Sequence, residues 1–144
     1  MDNKIIKFEI VTPERLVLRD RVFEATIPAA EGEITVLPNH APLISFLKSG
    51  VITLRKAGGG RDVAFVSGGF VEVLKNKIVV LADTAERAEE LDEAKVEEAR
   101  RRAEEAMKNV RRDDAEEFAQ VSARLEKELA RSRALKKWRN IKAY

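Results

Sequence analysis

Apolar and polar positions alternate at the start of the chain. In Ile5-Ile6-Lys7-Phe8-Glu9-Ile10-Val11, Phe8 and Ile10 stand against Lys7 and Glu9, and the run stops at Thr12-Pro13. A two-residue period predicts a half-buried strand. Further short β-rich runs follow at 16–18, 22–27, 34–37, 43–47, 51–55, 63–66, 70–74 and 78–81, most of them separated by glycine, proline or Asx residues. Gly58-Gly59-Gly60 predicts a hairpin tip, and Lys75-Asn76-Lys77 a tight turn, where Asn tolerates positive φ. Eight or nine short strands at this spacing predict an antiparallel β-sandwich or flattened barrel. About 85 residues suffice for a modest core of its own.

Beyond residue 86 the period changes. Residues 91–110 contain neither Gly nor Pro and are dominated by Ala, Glu, Arg and Lys, all strong helix formers. Ala99, Ala103, Ala106 and Val110 make a narrow stripe of small residues. Asp113, with Glu116 three positions on, predicts a capping-box start for a second helix. Phe118, Val121, Leu125 and Leu129 then recur at helical spacing, with Ala123, Ala130 and Ala134 nearby. A small-residue seam facing a larger one predicts an antiparallel two-helix hairpin. The expected organisation is therefore α+β in two modules, a β-sandwich over 1–86 and a helical hairpin over 87–144. The narrow apolar stripe makes the hairpin the less stable module, able to detach or extend.

Charge sharpens this division. Of the 144 residues, 27 are Lys or Arg and 25 are Asp or Glu, for a net charge of +2. Residues 1–86 are balanced, residues 87–118 carry net −4 and residues 119–144 net +6. All the glycines and prolines precede residue 87. An acidic first helix beside a basic second one is favourable, although exposed pairs contribute only about 0–1 kcal/mol each. The absence of Cys excludes disulfides, thiol nucleophiles and Cys-ligated metal sites, and the single histidine, His40, cannot build a multi-histidine centre. Met1-Asp2-Asn3-Lys4-Ile5 has no long apolar region, so neither a signal peptide nor a membrane span is expected.

No catalytic set emerges: P-loop, GxGxxG and GxSxG motifs are all missing. Ser67-Gly68-Gly69 follows a strand, but a glycine pair between strands reads as a turn, with no following helix to offer an anion site. His40 sits in a loop pinned by Pro38 and Pro42 and reads as a contact residue. From residue 129 onward Arg131, Arg133, Lys136, Lys137, Arg139 and Lys142 stand without one acid. That run fits a solvated helix face, a nucleic-acid contact (with Trp138 and Tyr144 as sole aromatics) or docking on an acidic protein surface.

Three strings carry a family resemblance. Glu31-Gly32-Glu33-Ile34-Thr35-Val36-Leu37-Pro38-Asn39-His40-Ala41-Pro42-Leu43, Val66-Ser67-Gly68-Gly69-Phe70-Val71-Glu72-Val73 and Val80-Leu81-Ala82-Asp83-Thr84-Ala85-Glu86 closely resemble the ε subunits of bacterial F-type ATP synthases. Val11-Thr12-Pro13-Glu14 and Leu91-Asp92-Glu93-Ala94 also fit, so the resemblance runs in order through nearly the whole chain. It implies a non-catalytic central-stalk rotor subunit, peripheral on the cytoplasmic side of the bacterial plasma membrane, without membrane insertion or nucleic-acid binding. The sandwich would bind the γ subunit and rest on the ring of c subunits. The hairpin would fold down on the sandwich, or extend along γ toward the catalytic α and β subunits and inhibit ATP hydrolysis.

The resemblance also assigns roles by position. Glu33 and His40 become candidate c-ring contacts, and residues 67–73 a candidate γ-binding face. Arg124, Lys127, Arg131 and Arg133 become candidates for an acidic segment of β. Some ε subunits bind ATP through an [IL]DxxRA pattern at the start of the hairpin. Here Leu91 and Asp92 match, while Lys95 and Val96 replace Arg and Ala. Lys lacks the planar fork of Arg. Glu86, Arg102 and Arg131 keep the family's charge signs. No cofactor is required, ATP is a possible ligand, and an ATP-sensing module is the alternative reading.

Overall fold

A computed structural model describes residues 4–142. The strands are β1 (Ile6–Val11), β2 (Leu16–Ala29), β3 (Gly32–Val36), β4 (Leu43–Phe46), β5 (Gly50–Lys56), β6 (Arg61–Ser67), β7 (Phe70–Leu74), β8 (Lys77–Leu81) and β9 (Thr84–Arg87). A 3-10 turn, Ala88–Glu90, leads to helices α1 (Glu93–Lys108) and α2 (Ala115–Lys142). The hydrogen-bonded order is β4-β7-β8-β1-β2-β5-β6-β9, with β3 paired to β2. β4 and β9 end this path unpaired with one another, so the sheet does not close into a barrel.

The long strand β2 makes the sandwich. Its first half pairs with β1, and its second half pairs with β3 and β5 across a register shift between Val22 and Glu24. A bulge of this kind bends the strand and lets one sheet serve both layers. Ile6, Phe8, Ile10, Val71, Val73, Ile78 and Val80 thereby meet Ala25, Ile27, Val36, Ile52, Leu54, Ala64 and Val66 in one core. Residues 16–18 and 22–27 are thus one strand. The polar stretch Arg19-Asp20-Arg21 looks like a break in sequence but keeps its ladder with Glu9, Phe8 and Lys7.

Several turns differ in detail from the sequence expectation. β1 and β8 pair in parallel, the one exception in an otherwise antiparallel sheet. The glycine tip forms as expected, with Lys56 and Gly60 closing the β5–β6 hairpin. The turn at Lys75 and Asn76 joins β7 to β8 as expected, and among the described residues the only non-glycine with positive φ is Asn39 (φ 67), in the proline loop. Gly68 and Gly69 make the β6–β7 turn at φ 71 and 92. A Cβ on Gly69 would lie 1.9 Å from the Leu81 carbonyl oxygen, so this pair is structural.

The helices form where the sequence places them, with shifted caps. Asp92 caps α1, its side chain accepting from the Lys95 N–H at 3.2 Å. Asp114, not Asp113, caps α2, accepting from the Glu117 N–H at 3.0 Å. Asp113 instead lies 3.8 Å from Arg111 in the connecting turn. Burial is also distributed differently. α1 buries Val96 and Ala103, while α2 buries Glu128, Ala130, Ser132, Ala134 and Leu135, none of them before Glu128. Phe118, Val121, Leu125 and Leu129 stay half-buried, and the face of α2 that meets the sheet carries Ala130 and Ala134 instead.

Candidate functional site

β6 explains where the hairpin sits. Asp62 through Val66 are all buried, without the alternation of a one-sided strand. Ala64 and Val66 face the sandwich core, whereas Val63 and Phe65 join Ala88, Ala130 and Ala134 in a second cluster. A strand covered on both faces reads as an unbroken apolar run, and Val63-Ala64-Phe65-Val66 carries that signal in sequence. The alanines allow α2 to approach β6 closely. Val51, Leu91, Trp138 and Ile141 pack around the rim. α1 in turn lies along α2, held by Ser132 to Glu97 (3.2 Å) and by an Arg139–Glu93 ion pair.

Arg131 ties this junction together. Its Nε donates to Glu86 Oε1 at 2.7 Å and its Nη1 to Glu128 Oε1 at 2.6 Å. Its guanidinium lies 4.7 Å from the centre of the Phe65 ring, an arrangement worth about 0.5–2 kcal/mol depending on desolvation. Lys127 donates to Thr84 Oγ1 at 3.3 Å. One helix is thus pinned to β6 and β9 by a cation–carboxylate–ring constellation. Glu128, which sequence reasoning passed over, is buried with its Oε2 lacking a partner. Its signal was an acid three residues before an arginine in an otherwise basic segment.

A second buried charge was also missed. Asp62 on β6 accepts from Arg87 Nη2 at 2.8 Å and from the Val63 N–H at 2.9 Å, and Arg87 also reaches Glu89 at 3.0 Å. This pair links β6, β9 and the 3-10 turn at the passage from sandwich to hairpin.

The residues singled out from sequence scatter differently. Of the nucleotide candidates, Glu86, Leu91 and Arg131 gather at the junction. Asp92 spends its carboxylate on the α1 cap, Lys95 is exposed, and Arg102 pairs with Glu98 on α1. Of the cations proposed to meet an acidic surface, Lys127 and Arg131 are engaged with the sandwich. Arg124 and Arg133 are exposed and form no ion pair among the described residues. Glu33 is exposed near the β2–β3 turn, opposite Pro28. His40 lies beyond the other end of β3, its Nδ1 donating to the Ala41 carbonyl at 2.6 Å, next to Asn39, whose N–H bonds Lys75. At about 3.3 Å per residue, β3 holds the two roughly 10 Å or more apart. Of residues 67–73, Phe70 and Glu72 lie on the outer face, whereas Val71 and Val73 are core. Ile44, Phe46 and Leu81 enlarge that outer face and are exposed. Tyr144 lies outside the described residues.

Among the described residues no helix is long and apolar enough to cross a membrane, and no group of His, Asp and Glu could hold a metal ion. The architecture is that of a β-sandwich carrying a C-terminal two-helix unit on one face. The model of the ATP synthase delta/epsilon chain β-sandwich domain matches residues 5–88. An ATP synthase epsilon chain from Herpetosiphon aurantiacus is 42% identical over 135 residues, spanning 94% of this chain and 97% of its own. One from Pelotomaculum thermopropionicum is 50% identical over 107 residues, spanning 74% of this chain and 79% of its own. A chain in a solved structure of the Euglena gracilis mitochondrial ATP synthase, comprising OSCP, F1 and c-ring, superposes with a TM-score of 0.77 at 25% identity. That match covers 92% of this chain and 82% of the other. The chain belongs to the ATP synthase epsilon-chain family.

Proposed function

We propose that this protein is the non-catalytic central-stalk subunit that links γ to the c ring of an F-type ATP synthase and restrains ATP hydrolysis through its hairpin. Its place is peripheral, on the cytoplasmic side of the bacterial plasma membrane, with γ, the c ring and the α and β subunits as partners. The observation that carries this is the junction of α2 with β6 and β9. It is narrow, alanine-lined and held by charged groups, which is the build of a seam that opens as a unit. Lys127 and Arg131 are engaged there, so they meet an acidic β-subunit surface only after α2 leaves the sandwich, joining Arg124 and Arg133. Glu33 and His40 are the proposed ring-side contacts, and Phe70 and Glu72 lie on the proposed γ face.

The chain lacks cysteine, which makes a direct test available. A cysteine pair placed across Val63 and Ala134 should lock the hairpin down on oxidation. In the reassembled complex the locked protein should lose its inhibition of hydrolysis and regain it on reduction. Unchanged inhibition in the locked state would refute the hairpin as brake. Failure of the wild type to form a complex with γ would refute the rotor reading itself.

A second reading, nucleotide sensing, is favoured by Glu86, Leu91 and Arg131 meeting at the same seam. Arg131 is already satisfied there by two carboxylates and a ring, and Lys95 and Val96 depart from the family pattern. Calorimetry of the whole chain with ATP tests it. No heat at millimolar nucleotide removes the sensor.

A further inference from the structure

The outer face of β4, β7, β8, β1 and the first half of β2 is striped. Lys7 on β1 lies opposite Arg21 on β2 and opposite Lys77 on β8. One cation from each of these adjacent strands therefore stands in a single row across the sheet, with Leu74 of β7 at its end. The next row holds Ile44, Glu72, Val79, Glu9 and Arg19. The third is wholly apolar: Phe46, Phe70, Leu81, Val11 and Leu16. Four of those five are exposed, Phe46 at 75%.

Cross-strand partners have Cβ atoms about 4.5–5.5 Å apart, and like charges facing one another there destabilise the sheet. Among the described residues neither Lys7, Arg21 nor Lys77 has an ion pair, and the two neighbouring carboxylates each bond another group. Glu9 is held by Arg19 at 3.3 Å, and Asp20 accepts from the Arg21 backbone N–H at 2.8 Å. The same three cations border open concavities of ≈ 620 and ≈ 510 Å³.

We propose that the Lys77–Lys7–Arg21 row is a docking strip for an acidic segment of the protein partner whose apolar surface covers the Phe46–Phe70–Leu81 row. This rests on the reading that the sandwich seats on γ, which it deepens by specifying the partner's charge. Alternate residues on a strand advance about 6.6–6.8 Å, so the two rows are about 13 Å apart. The partner carries carboxylates at that distance from an apolar ridge. Glu72 and Glu9 stand between the rows and would be repelled by a continuous anionic surface, so the stripe selects a patterned protein rather than a membrane or nucleic acid. Charge at the edge of an interface acts mainly on association rate and orientation.

The test is stopped-flow association of the full chain with the purified γ subunit of the same synthase. Wild type is compared with Lys7→Gln/Arg21→Gln/Lys77→Gln across ionic strength. At low salt the triple variant should associate about tenfold more slowly, with the difference vanishing once salt screens the charges. Its melting temperature should not fall, because the substitutions relieve repulsion. Arg21→Gln alone should show an intermediate rate and serves if the triple variant does not fold. Equal rates at low salt would overturn the docking strip while leaving the rotor reading intact. Equal displacement of γ from wild type and variant by phosphatidylglycerol vesicles is expected. Selective displacement from the wild type would overturn the proposal in favour of a membrane surface. A wild type that does not bind γ at all would overturn both readings.

Discussion

Replacing Arg131 by Ala should open the hairpin without unfolding the sandwich. The substitution removes two ion pairs and a ring contact, and strands Glu128 in a buried site. Stranding a fully buried charge costs about 3–5 kcal/mol, and losing an exposed pair about 0–1 kcal/mol. Here the Arg131 side chain is 20% exposed, Glu128 10% and Glu86 34%. The cost should therefore fall between those limits, at about 2–3 kcal/mol. At 1.4 kcal/mol per decade, that is a roughly 30- to 150-fold increase in the open population. Amide hydrogen exchange resolves it, because local opening is read segment by segment. Exchange should accelerate by that factor over residues 126–138 while β1 and β8 stay unchanged. Arg131→Met/Glu128→Leu should recover most of the protection, since replacing a buried pair by apolar groups of similar volume is close to neutral. Wild-type exchange in Arg131→Ala, or equal acceleration in β1 and β8, would refute the reasoning. The second outcome would make hairpin and sandwich one cooperative unit.

Four further expectations come from the same geometry. Gly69→Ala combines a positive φ with a collision against the Leu81 carbonyl and should cost at least about 2 kcal/mol, lowering Tm by roughly 10 °C. Gly58→Ala, with nothing within 4 Å and no positive φ, should melt like wild type. Asp62→Ala removes a buried acceptor from the Val63 N–H and leaves the part-exposed Arg87 with Glu89 alone, so it should cost about 1–3 kcal/mol in denaturant unfolding, and an unshifted midpoint would contradict the pair's role. The side-chain hydrogen bond from Arg100 holds the Glu97 carboxyl below its ordinary 4.5. A depressed carboxylate contributes stability above its unfolded value and loses it as pH falls through the folded one. Helical circular dichroism of Glu97→Gln should therefore fall less steeply with acid than wild type below about pH 4.5, and superimposable profiles would refute the assignment.

How much of this was legible beforehand depended on the range of the interaction concerned. Apolar alternation marked most of the strands, and glycine placed the β5–β6 tip. The loss of Gly and Pro after residue 86 marked the change from a strand pattern to a helical one. Composition and the spacing of small residues placed α1, and three strings carried the family resemblance. These are properties of neighbouring residues, decided within a few positions along the chain. The shift from Asp113 to Asp114 as cap shows the limit even there, since two adjacent aspartates are chemically equal until the turn chooses one.

Tertiary structure decided which groups meet. Residues 16–29 became one strand because distant Glu9 and Lys7 continue the ladder past Arg19 and Arg21. Val63 and Phe65 were covered by α2, and Arg131 closed on Glu86, Glu128 and Phe65 across a sequence separation no periodicity reports. Glu33 and His40, seven residues apart, were set at opposite ends of β3, while Lys7, Arg21 and Lys77 were drawn into one row. Pattern along a chain specifies which face of an element is apolar. Only the packing of elements determines what that face touches, because Coulomb and hydrogen-bond terms depend on distances in space rather than along the backbone.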